Sequence, residues 1–269
     1  MNNYADLHIH SCFSDGVLTP EEILTDSKKK NLRAIAVTDH DTFEGSSRAF
    51  KLSASYGIEV LMGIELSCSF EDQDIHLLGY FKEDVSHIFK PFLYKLKQGR
   101  IERAYKISDR FKNHGIAMPV EEMVINSESI GRPHFAKELI KKGIVGTFEE
   151  AFEKYLSRGK SCYVEKTKLP VLDAISEIRK YGGVSIIAHP ALIRNKLILN
   201  ELISLNPDGL EVYHSKHTQE DKIYLYNLAK DHGLLVSGGS DFHEETKYTT
   251  IGSVKLPYYY LENIKEKLY

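Results

Sequence analysis

The sequence contains little cysteine and no long hydrophobic run. Cys12, Cys68 and Cys162 are odd in number and widely spaced, so we expect free thiols in a reducing, cytoplasmic compartment rather than a disulfide framework. No apolar stretch approaches the roughly 20 residues that a transmembrane helix needs. Residues 1–10 also lack the basic and apolar regions of a secretory signal. These absences predict a protein without a membrane partner.

The composition is that of a globular protein. With 269 residues, 42% hydrophobic and 27% charged, the chain can form one large α/β domain or two smaller ones. The net charge of −3 is unevenly distributed: residues 81–160 hold 16 Lys and Arg against 11 Asp and Glu, whereas the rest hold 19 against 27. An acidic body could hold cations and a basic segment could meet an anionic substrate, although solvated helix faces explain the charges equally well.

Apolar strand patterns alternate with amphipathic helix patterns over most of the chain, which predicts an α/β fold with a mostly parallel sheet. The strand patterns are ADLHI, RAIAVT, IEVLMGIEL, IHLLGYF, GGVSIIAH, DGLEVY and LLVSGG. The stretch 84–158 instead favours helices throughout. We therefore expect residues 1–83 and 159–269 to form the body, with 84–158 as a helical insertion that caps the substrate.

Potential metal ligands occur at or near these strand ends. Because the carboxyl ends of parallel strands meet on one face of a sheet or barrel, these side chains should converge. Any one histidine is more simply explained as a hydrogen-bonded core residue, but that explanation requires an independent coincidence at every strand. The residues are His8, His10, Asp15, His40, Glu65, His76, His189, Asp241 and His243.

The spacing of His8 and His10 is the strongest local signal, since side chains two apart on a strand point the same way. Imidazoles combined with carboxylates suit Zn, Mn or Fe better than Ca or Mg. So many ligands exceed one tetrahedral site and fit two or three ions, with Glu65 and Asp241 as candidate bridging carboxylates. Clustered divalent ions favour phosphoester hydrolysis. We expect Cys12 and Cys68, which lie close to these motifs, to be small packing residues.

Six motifs, in this order, resemble the PHP (polymerase and histidinol phosphatase) superfamily: DLHIHSCFSDG, AVTDHDT, GIELS, DIHLLGY, AHP and GSDFH. The resemblance implies a distorted (β/α)₇ barrel with a helical insertion and a trinuclear metal centre. It assigns one ion to His8, His10, Glu65 and Asp241. It assigns a second to Glu65, His76 and His189, and a third to Asp15, His40 and His243.

The insertion narrows the resemblance. IGRPHFAKELI and FEEAFEKYLSRGKSCYV resemble the subgroup of nucleoside 3′,5′-bisphosphate phosphatases and 5′-to-3′ exoribonucleases that act on short RNA. This implies that Arg132 and His134 bind the substrate phosphate, which suits the bidentate bonding of a guanidinium. The alternative is that GRP only opens a helix over 134–142.

Four further polar residues have candidate roles around the site. EVYHSKH resembles the subgroup's pattern and suggests His217 as a substrate-side residue. His214 could be either substrate-side or a hydrogen-bond donor behind the ligands. Asp39 and Asp41 flank His40 and could orient ligand imidazoles.

We therefore expect a metal-dependent phosphoesterase. It would use two or three divalent ions (Mn, Fe or Zn) and a metal-activated hydroxide to hydrolyse a terminal phosphoester of a nucleoside 3′,5′-bisphosphate or of the 5′ end of short RNA. The alternatives are a histidinol phosphate phosphatase, a non-catalytic metal-stabilised binding module, and a nucleic-acid-binding protein with structural metals. The modest +5 of residues 81–160 argues against stable duplex binding, which depends on phosphate neutralisation. The sequence leaves the native metal, the general acid and the oligomeric state open.

Overall fold

The strand patterns of the sequence form a single sheet in the computed structural model, which describes residues 3–71, 73–127, 130–165, 169–193 and 197–268. The strands are β1 (Tyr4–Ile9), β2 (Ala34–Val37), β3 (Glu59–Phe70), β4 (Gln73–Phe81), β5 (Val184–Ile187), β6 (Gly209–His214), β7 (Leu235–Gly239) and β8 (Leu256–Pro257). Their order across the sheet is β7-β6-β5-β4-β3-β2-β1-β8. Each of the seven predicted strands is present, and β8 is an addition.

The strand directions differ in one respect from the prediction. Four of the seven pairings among these strands are parallel, but β4 runs antiparallel to both β3 and β5, and β8 runs antiparallel to β1. Strand β4 is reversed because only two residues, Glu71 and Asp72, separate it from β3, which is too short for a crossover to a parallel strand. The beginning of β4 therefore lies at the same edge as the ends of the parallel strands.

The sheet curls until its two sides meet, which gives the nearly closed barrel expected from the sequence. The residues after β7 bond to β1: the Asp241 N–H donates to the His8 carbonyl at 2.8 Å, and the His10 N–H donates to the Phe242 carbonyl at 2.8 Å. A Cβ atom at Gly239 would lie 2.3 Å from the His8 nitrogen, so glycine permits this close approach. The barrel thus closes beside the first histidine pair.

The helices follow one another along the chain in the order that the sequence predicts. They are α1 (Pro20–Lys29), α2 (Glu44–Tyr56), α3 (Ser86–Lys112), α4 (Val120–Ile125), α5 (Arg132–Lys141), α6 (Phe148–Ala151), α7 (Val171–Lys180), α8 (Ile198–Ser204), α9 (Gln219–Asp231) and α10 (Tyr258–Lys267). A π-helical turn, Phe152–Leu156, continues α6. Within the predicted helix near 196–205, residue 196 lies outside the described residues. Within the described part of the chain, no helix is both long and apolar enough to cross a membrane.

The chain divides into two compact units. One comprises residues 1–89 and 168–269 and carries the barrel, and the other comprises residues 90–167 and is helical. The second unit has its own apolar core, in which Phe111 and Phe135 are fully buried and stack 6.1 Å apart. The capping function predicted for the helical segment remains a prediction.

The barrel wall has an apolar outer side and a polar inner side. Ile9 is buried against Ile23 of α1 and Ala49 of α2, in the core between sheet and helices. Inside the barrel, the Tyr80 hydroxyl donates to the Leu7 carbonyl at 2.8 Å and lies 3.1 Å from Ser237 Oγ. This tyrosine therefore links β4 to β1 and β7.

Helix α1 begins with a capping box. Thr19 Oγ1 accepts from the Glu22 N–H at 3.3 Å, and Glu22 Oε2 accepts from the Thr19 N–H at 2.8 Å, as expected for a threonine followed three residues later by a glutamate. The three cysteines are free, as predicted. Cys68 is buried and packs in the core, whereas Cys12 is exposed, so its prediction as a packing residue is wrong.

Asp84, which lies just before α3, links that helix to α2. Ser47 Oγ donates to Asp84 Oδ2 at 2.5 Å, and the Ser86 N–H donates to Oδ1 at 3.0 Å. Partial burial raises the pKa of Asp84, but the hydrogen bonds from Ser47 and Ser86 outweigh it and lower the pKa to about 2.

We expect Asp84→Asn to lower the free energy of unfolding near neutral pH. Because the folded pKa lies below the ordinary value, the ionised carboxylate stabilises the fold above pH 3.8, and this contribution is lost as the pH falls towards 2. Urea unfolding across this range measures the difference between wild type and variant. Asp231→Asn, at an exposed aspartate, is the control, and a difference that does not shrink at low pH would contradict the assignment.

Candidate metal centre

The first histidine pair lies at the end of β1. His8 and His10 are fully buried, and their ring centroids are 5.2 Å apart. The two-residue period of the strand places both rings inside the barrel, while Leu7 and Ile9 alternate to the opposite side. The pair that the sequence singled out is therefore assembled by the strand itself.

Glu65 lies at the centre of the cluster, midway along β3, and is 1% exposed. Its two carboxylate oxygens face different imidazoles. Oε2 is 3.6 Å from His8 Nε2, 3.2 Å from His10 Nε2 and 3.0 Å from His40 Nδ1. Oε1 is 2.9 Å from His76 Nδ1 and 3.2 Å from His189 Nε2. A carboxylate in this position can bridge two ions, as predicted for Glu65.

Asp15 gathers a second group at the rim of the barrel. Its Oδ1 is 3.2 Å from His243 Nε2 and 3.6 Å from His10 Nδ1, and its Oδ2 is 3.7 Å from His40 Nε2. These four residues offer ligand atoms within 4.8 Å of one another. The group contains the three residues that the resemblance assigns to the third ion, with His10 in addition.

Asp241 brings the end of β7 into the cluster. Its Oδ1 is 3.4 Å from His8 Nε2, 3.3 Å from His10 Nε2 and 3.6 Å from His243 Nδ1. Asp241 and His189 have φ angles of 53° and 32°, in the left-handed region that non-glycine residues seldom adopt. Such strain persists where the surrounding structure enforces it, and it concentrates at functional sites.

All nine predicted ligands thus lie in one cluster, although His76 reaches it differently from the rest. His76 lies near the start of β4, and the reversal of that strand brings it to the same edge as the ends of the parallel strands. The assignment of each ligand to a particular ion remains a prediction.

The residues present fit a metal ion. Several buried nitrogen and oxygen atoms make no hydrogen bond of good geometry, although they are surrounded by potential ligands, and a cation would satisfy them. They are His8 Nε2, His10 Nε2, His40 Nδ1 and Glu65 Oε2.

The electrostatics also favour cations. Burial raises the pKa of Glu65, but the imidazoles of His40, His76 and His8 lower it well below its ordinary range. In the opposite direction, burial lowers the pKa of His8, whereas Glu211 and the other carboxylates raise it well above its ordinary range. The carboxylates therefore remain ionised inside the barrel, where a bound cation would interact strongly with them.

Two residues of β6 join the cluster although they were not predicted as ligands. Glu211 is fully buried, lies 2.9 Å from His8 Nδ1 through Oε1, and accepts from the His189 N–H at 2.7 Å through Oε2. His214 is fully buried with Nε2 3.2 Å from Asp241 Oδ2. A carboxylate inside the apolar strand DGLEVYH was the signal for Glu211, since a buried charge requires a partner.

Asp39 and Asp41 hold backbone and hydroxyl groups around the ligands. Asp39 accepts from the Ser11 N–H at 2.7 Å and from Ser14 Oγ at 2.7 Å, and Asp41 accepts from the Ser67 N–H at 2.8 Å. These contacts fix the loops that carry the ligands. The expectation that both aspartates orient ligand imidazoles stays a prediction.

Arg132 and His134 begin helix α5 in the helical unit. Arg132 Nη1 donates to the Leu156 carbonyl at 3.2 Å, and the Gly131 N–H donates to His134 Nδ1 at 3.2 Å. Ser127 Oγ lies 3.1 Å from His134 Nε2. The side chains of Arg132 and His134 thus both make structural contacts at the start of α5. Their phosphate-binding role stays a prediction.

His217 is buried, with Nδ1 donating to the Val212 carbonyl at 2.9 Å and its ring 5.0 Å from that of His214. His217 lies on the loop between β6 and α9. A substrate-side role for His217 also remains a prediction.

Comparison with known proteins agrees with this geometry. The family profile of the PHP domain matches residues 6–114. The chain is 33% identical over 246 residues to a 3′,5′-nucleoside bisphosphate phosphatase of Chromobacterium violaceum, covering 88% of this chain and 86% of the relative. The chain belongs to the PHP family.

Two further known proteins match nearly the whole chain. A 5′-3′ exoribonuclease of Haemophilus influenzae is 31% identical over 259 residues, with 94% of each chain covered. The crystal structure of a predicted metal-dependent phosphoesterase from Bifidobacterium adolescentis has a TM-score of 0.87 and 26% identity, covering 98% of this chain and 96% of that one. The family and the barrel expected from the sequence are therefore confirmed, as is an enzyme of the hydrolase class.

We expect the double variant His8→Ala/Asp241→Ala to lose metal, because it removes a nitrogen and an oxygen ligand from opposite sides of the barrel closure. Metal per chain, measured by plasma mass spectrometry after loading with Mn²⁺ or Zn²⁺, should fall well below the wild-type value. The matched control is His232→Ala/Asp231→Ala, which removes the same residue types from an exposed helix end. Wild-type metal content in the first variant would contradict the assignment, provided that circular dichroism shows both variants folded.

Proposed function

We propose that this PHP protein hydrolyses a terminal phosphoester of a nucleotide, either a nucleoside 3′,5′-bisphosphate or the 5′ end of a short RNA. The observation that carries the proposal is the cluster of nine candidate ligand residues centred on Glu65, whose two oxygens face five imidazoles. The names of the Chromobacterium and Haemophilus relatives support a nucleotide or RNA substrate.

We propose two or three divalent ions, Mn, Fe or Zn, as the cofactors. Glu65 would bridge two of them, because one oxygen faces His8, His10 and His40 and the other faces His76 and His189. Bound there, such ions would polarise a phosphoryl oxygen and lower the pKa of a water molecule for attack on phosphorus.

The three free cysteines support the proposed cytoplasmic location.

The chain's own groups prepare the site for this chemistry. The carboxylates of Glu65, Asp241 and Asp15 hold negative charge that is balanced by imidazoles until ions enter. Glu211, which is in contact with His8 Nδ1, keeps the Nε2 lone pair of that ring directed at the cluster. Arg132 and His134 would bind non-bridging oxygens or a second phosphate of the substrate.

The competing functions make different predictions. A histidinol phosphate phosphatase would share the barrel and the metals, but its substrate has no nucleoside. A non-catalytic, metal-stabilised module would bind ions without turnover. The presence of a ligand-type residue at all nine positions, within one cluster, favours an enzyme over such a module. A nucleic-acid-binding protein with structural metals would bind RNA without releasing phosphate.

A hydrolysis panel in the presence of Mn²⁺, scored for both released phosphate and released mononucleotide, tests the proposal. Adenosine 3′,5′-bisphosphate or a short 5′-phosphorylated RNA should be hydrolysed at least about tenfold faster than histidinol phosphate, since tenfold corresponds to one additional phosphate contact of about 1.4 kcal/mol. AMP separates the need for a second phosphate from the need for a nucleoside. The His8→Ala/Asp241→Ala protein, purified identically, excludes a contaminating phosphatase. Faster release from histidinol phosphate, or none from any substrate, would refute the proposal.

Arg132→Lys tests the phosphate-binding role. Lysine keeps the charge but cannot make two parallel hydrogen bonds, so KM for the nucleotide should rise about tenfold while kcat changes less. Steady-state kinetics on the best substrate of the panel provides the measurement. Arg48→Lys is the control, because Arg48 forms an exposed ion pair with Glu21 at 2.6 Å, and such pairs contribute little. An unchanged KM would leave Arg132 with its structural contacts alone.

A further inference from the structure

His214 looks like a tenth metal ligand. It ends β6, is fully buried and offers a ring nitrogen within 4.8 Å of ligand atoms of His8 and Asp241. Distance alone would therefore place it in a metal site. The hydrogen bonds of its ring lead to a different conclusion.

The Nδ1 atom of His214 is a hydrogen-bond acceptor. The backbone N–H of Lys216 donates to it at 3.1 Å. A backbone N–H can only donate, so Nδ1 must present its lone pair and cannot carry a proton. A neutral imidazole with an unprotonated Nδ1 has its hydrogen on Nε2. The atom that His214 directs into the cluster is thus an N–H group and has no lone pair for a metal.

Two other histidines of the centre show the opposite arrangement. His8 Nδ1 lies 2.9 Å from Glu211 Oε1, and His243 Nδ1 lies 3.0 Å from the Asp241 carbonyl. Both partners are oxygen acceptors, so each Nδ1 carries a proton, and the neutral form of each ring has its lone pair on Nε2. This is the arrangement in which a second partner prepares a histidine to bind metal. His214 differs from these rings in the identity of its Nδ1 partner.

The N–H of His214 has an acceptor close by. Nε2 lies 3.2 Å from Asp241 Oδ2, whereas Oδ1 of the same carboxylate faces His8, His10 and His243. Lys216 Nζ lies 3.7 Å from Oδ2 as well. Nε2 and Oδ2 are thus within hydrogen-bonding distance, although the angle between them is not that of a well-formed hydrogen bond. Donors therefore gather around one oxygen of Asp241 and potential ligands around the other.

We propose that His214 is a positioning residue rather than a metal ligand. Its Nε2–H donates to Oδ2 of Asp241 and thereby turns Oδ1 towards the ions, so that Asp241 binds through one oxygen. This differs from the sequence-based expectation that Asp241 is a candidate bridging carboxylate. The proposal deepens the proposed function and rests on it for the presence of metal ions.

The first test compares His214→Gln with His214→Leu. Both variants lack an imidazole ligand, but only glutamine keeps an N–H donor at the reach of Nε2. The leucine variant should bind Zn²⁺ about 10- to 100-fold more weakly than wild type, the usual cost of losing such a hydrogen bond behind a ligand. The glutamine variant should regain most of that loss. Chelator competition measures the affinity, and His232→Gln controls for the substitution type on the exposed surface.

The second test observes the ring directly. Long-range ¹H–¹⁵N correlation spectra of wild-type protein labelled at histidine, with and without Zn²⁺, report which nitrogen carries the proton. The His214 signal is assigned by its absence in the glutamine variant. We expect the proton on Nε2 in both samples. The spectra are recorded on the wild-type protein, so the glutamine variant has to fold only for the assignment of the His214 signal.

Several outcomes would overturn the proposal. A proton on Nδ1 with a zinc-shifted Nε2 would make His214 a ligand. If the glutamine and leucine variants lost zinc affinity to the same extent, His214 would also be a ligand. If both variants kept the wild-type zinc affinity, His214 would have no role in metal binding. The proposed function fails separately, because the absence of phosphate release from nucleotides would leave both the zinc affinity and the protonation of the ring unchanged.

Discussion

The contacts between the buried Glu65 carboxylate and the five imidazoles around it are the constraint on which this structure depends. An ionised carboxylate inside a barrel is strongly destabilising unless charges or hydrogen bonds compensate it. Here the compensation comes from side chains on β1, on β4, and on the loops after β2 and β5. The strands must therefore converge at one point for the charge to be tolerated. The same convergence concentrates nitrogen and oxygen ligands within reach of a small cluster of cations.

The barrel meets this requirement through an exception to its parallel pattern. A strand connected to β3 by two residues has to run backwards, and its first residues then lie level with the last residues of the parallel strands. His76 contributes to the centre for this reason. Closure of the sheet beside β1 supplies Asp241 and His243 from the opposite side. The reversed strand and the closing pair are thus both parts of the site as well as parts of the fold.

The sequence was sufficient to predict the strands, the barrel family and the cluster of ligands, because alternation along a strand and motif order are local properties. His8 and His10 follow from a period of two, and Thr19 and Glu22 follow from capping chemistry. Three features could not be predicted. The direction of β4 depends on the short connection that arises because β3 and β4 extend beyond the predicted strand patterns. The contacts of Asp39 and Asp41 depend on loops distant in sequence, and the partner of Glu211 lies 203 residues away. The function of His214 depends on which atom faces its Nδ1, and no spacing of residues encodes that.

The ligand cluster and the barrel strands around it form a cage, and the hydrogen bonds that hold this cage together join protein groups only. Asp39 fixes the loop after β1, Tyr80 links three strands inside the barrel, and the residues after β7 bond to β1 through their backbones. None of these contacts requires an ion. Folding can thus precede metal capture, unlike in small zinc-dependent domains that are unfolded without metal. The free energy of ion binding then goes into affinity instead of into ordering the chain. A finished cage would select among ions by its ligand types and geometry as well as by what the cell supplies.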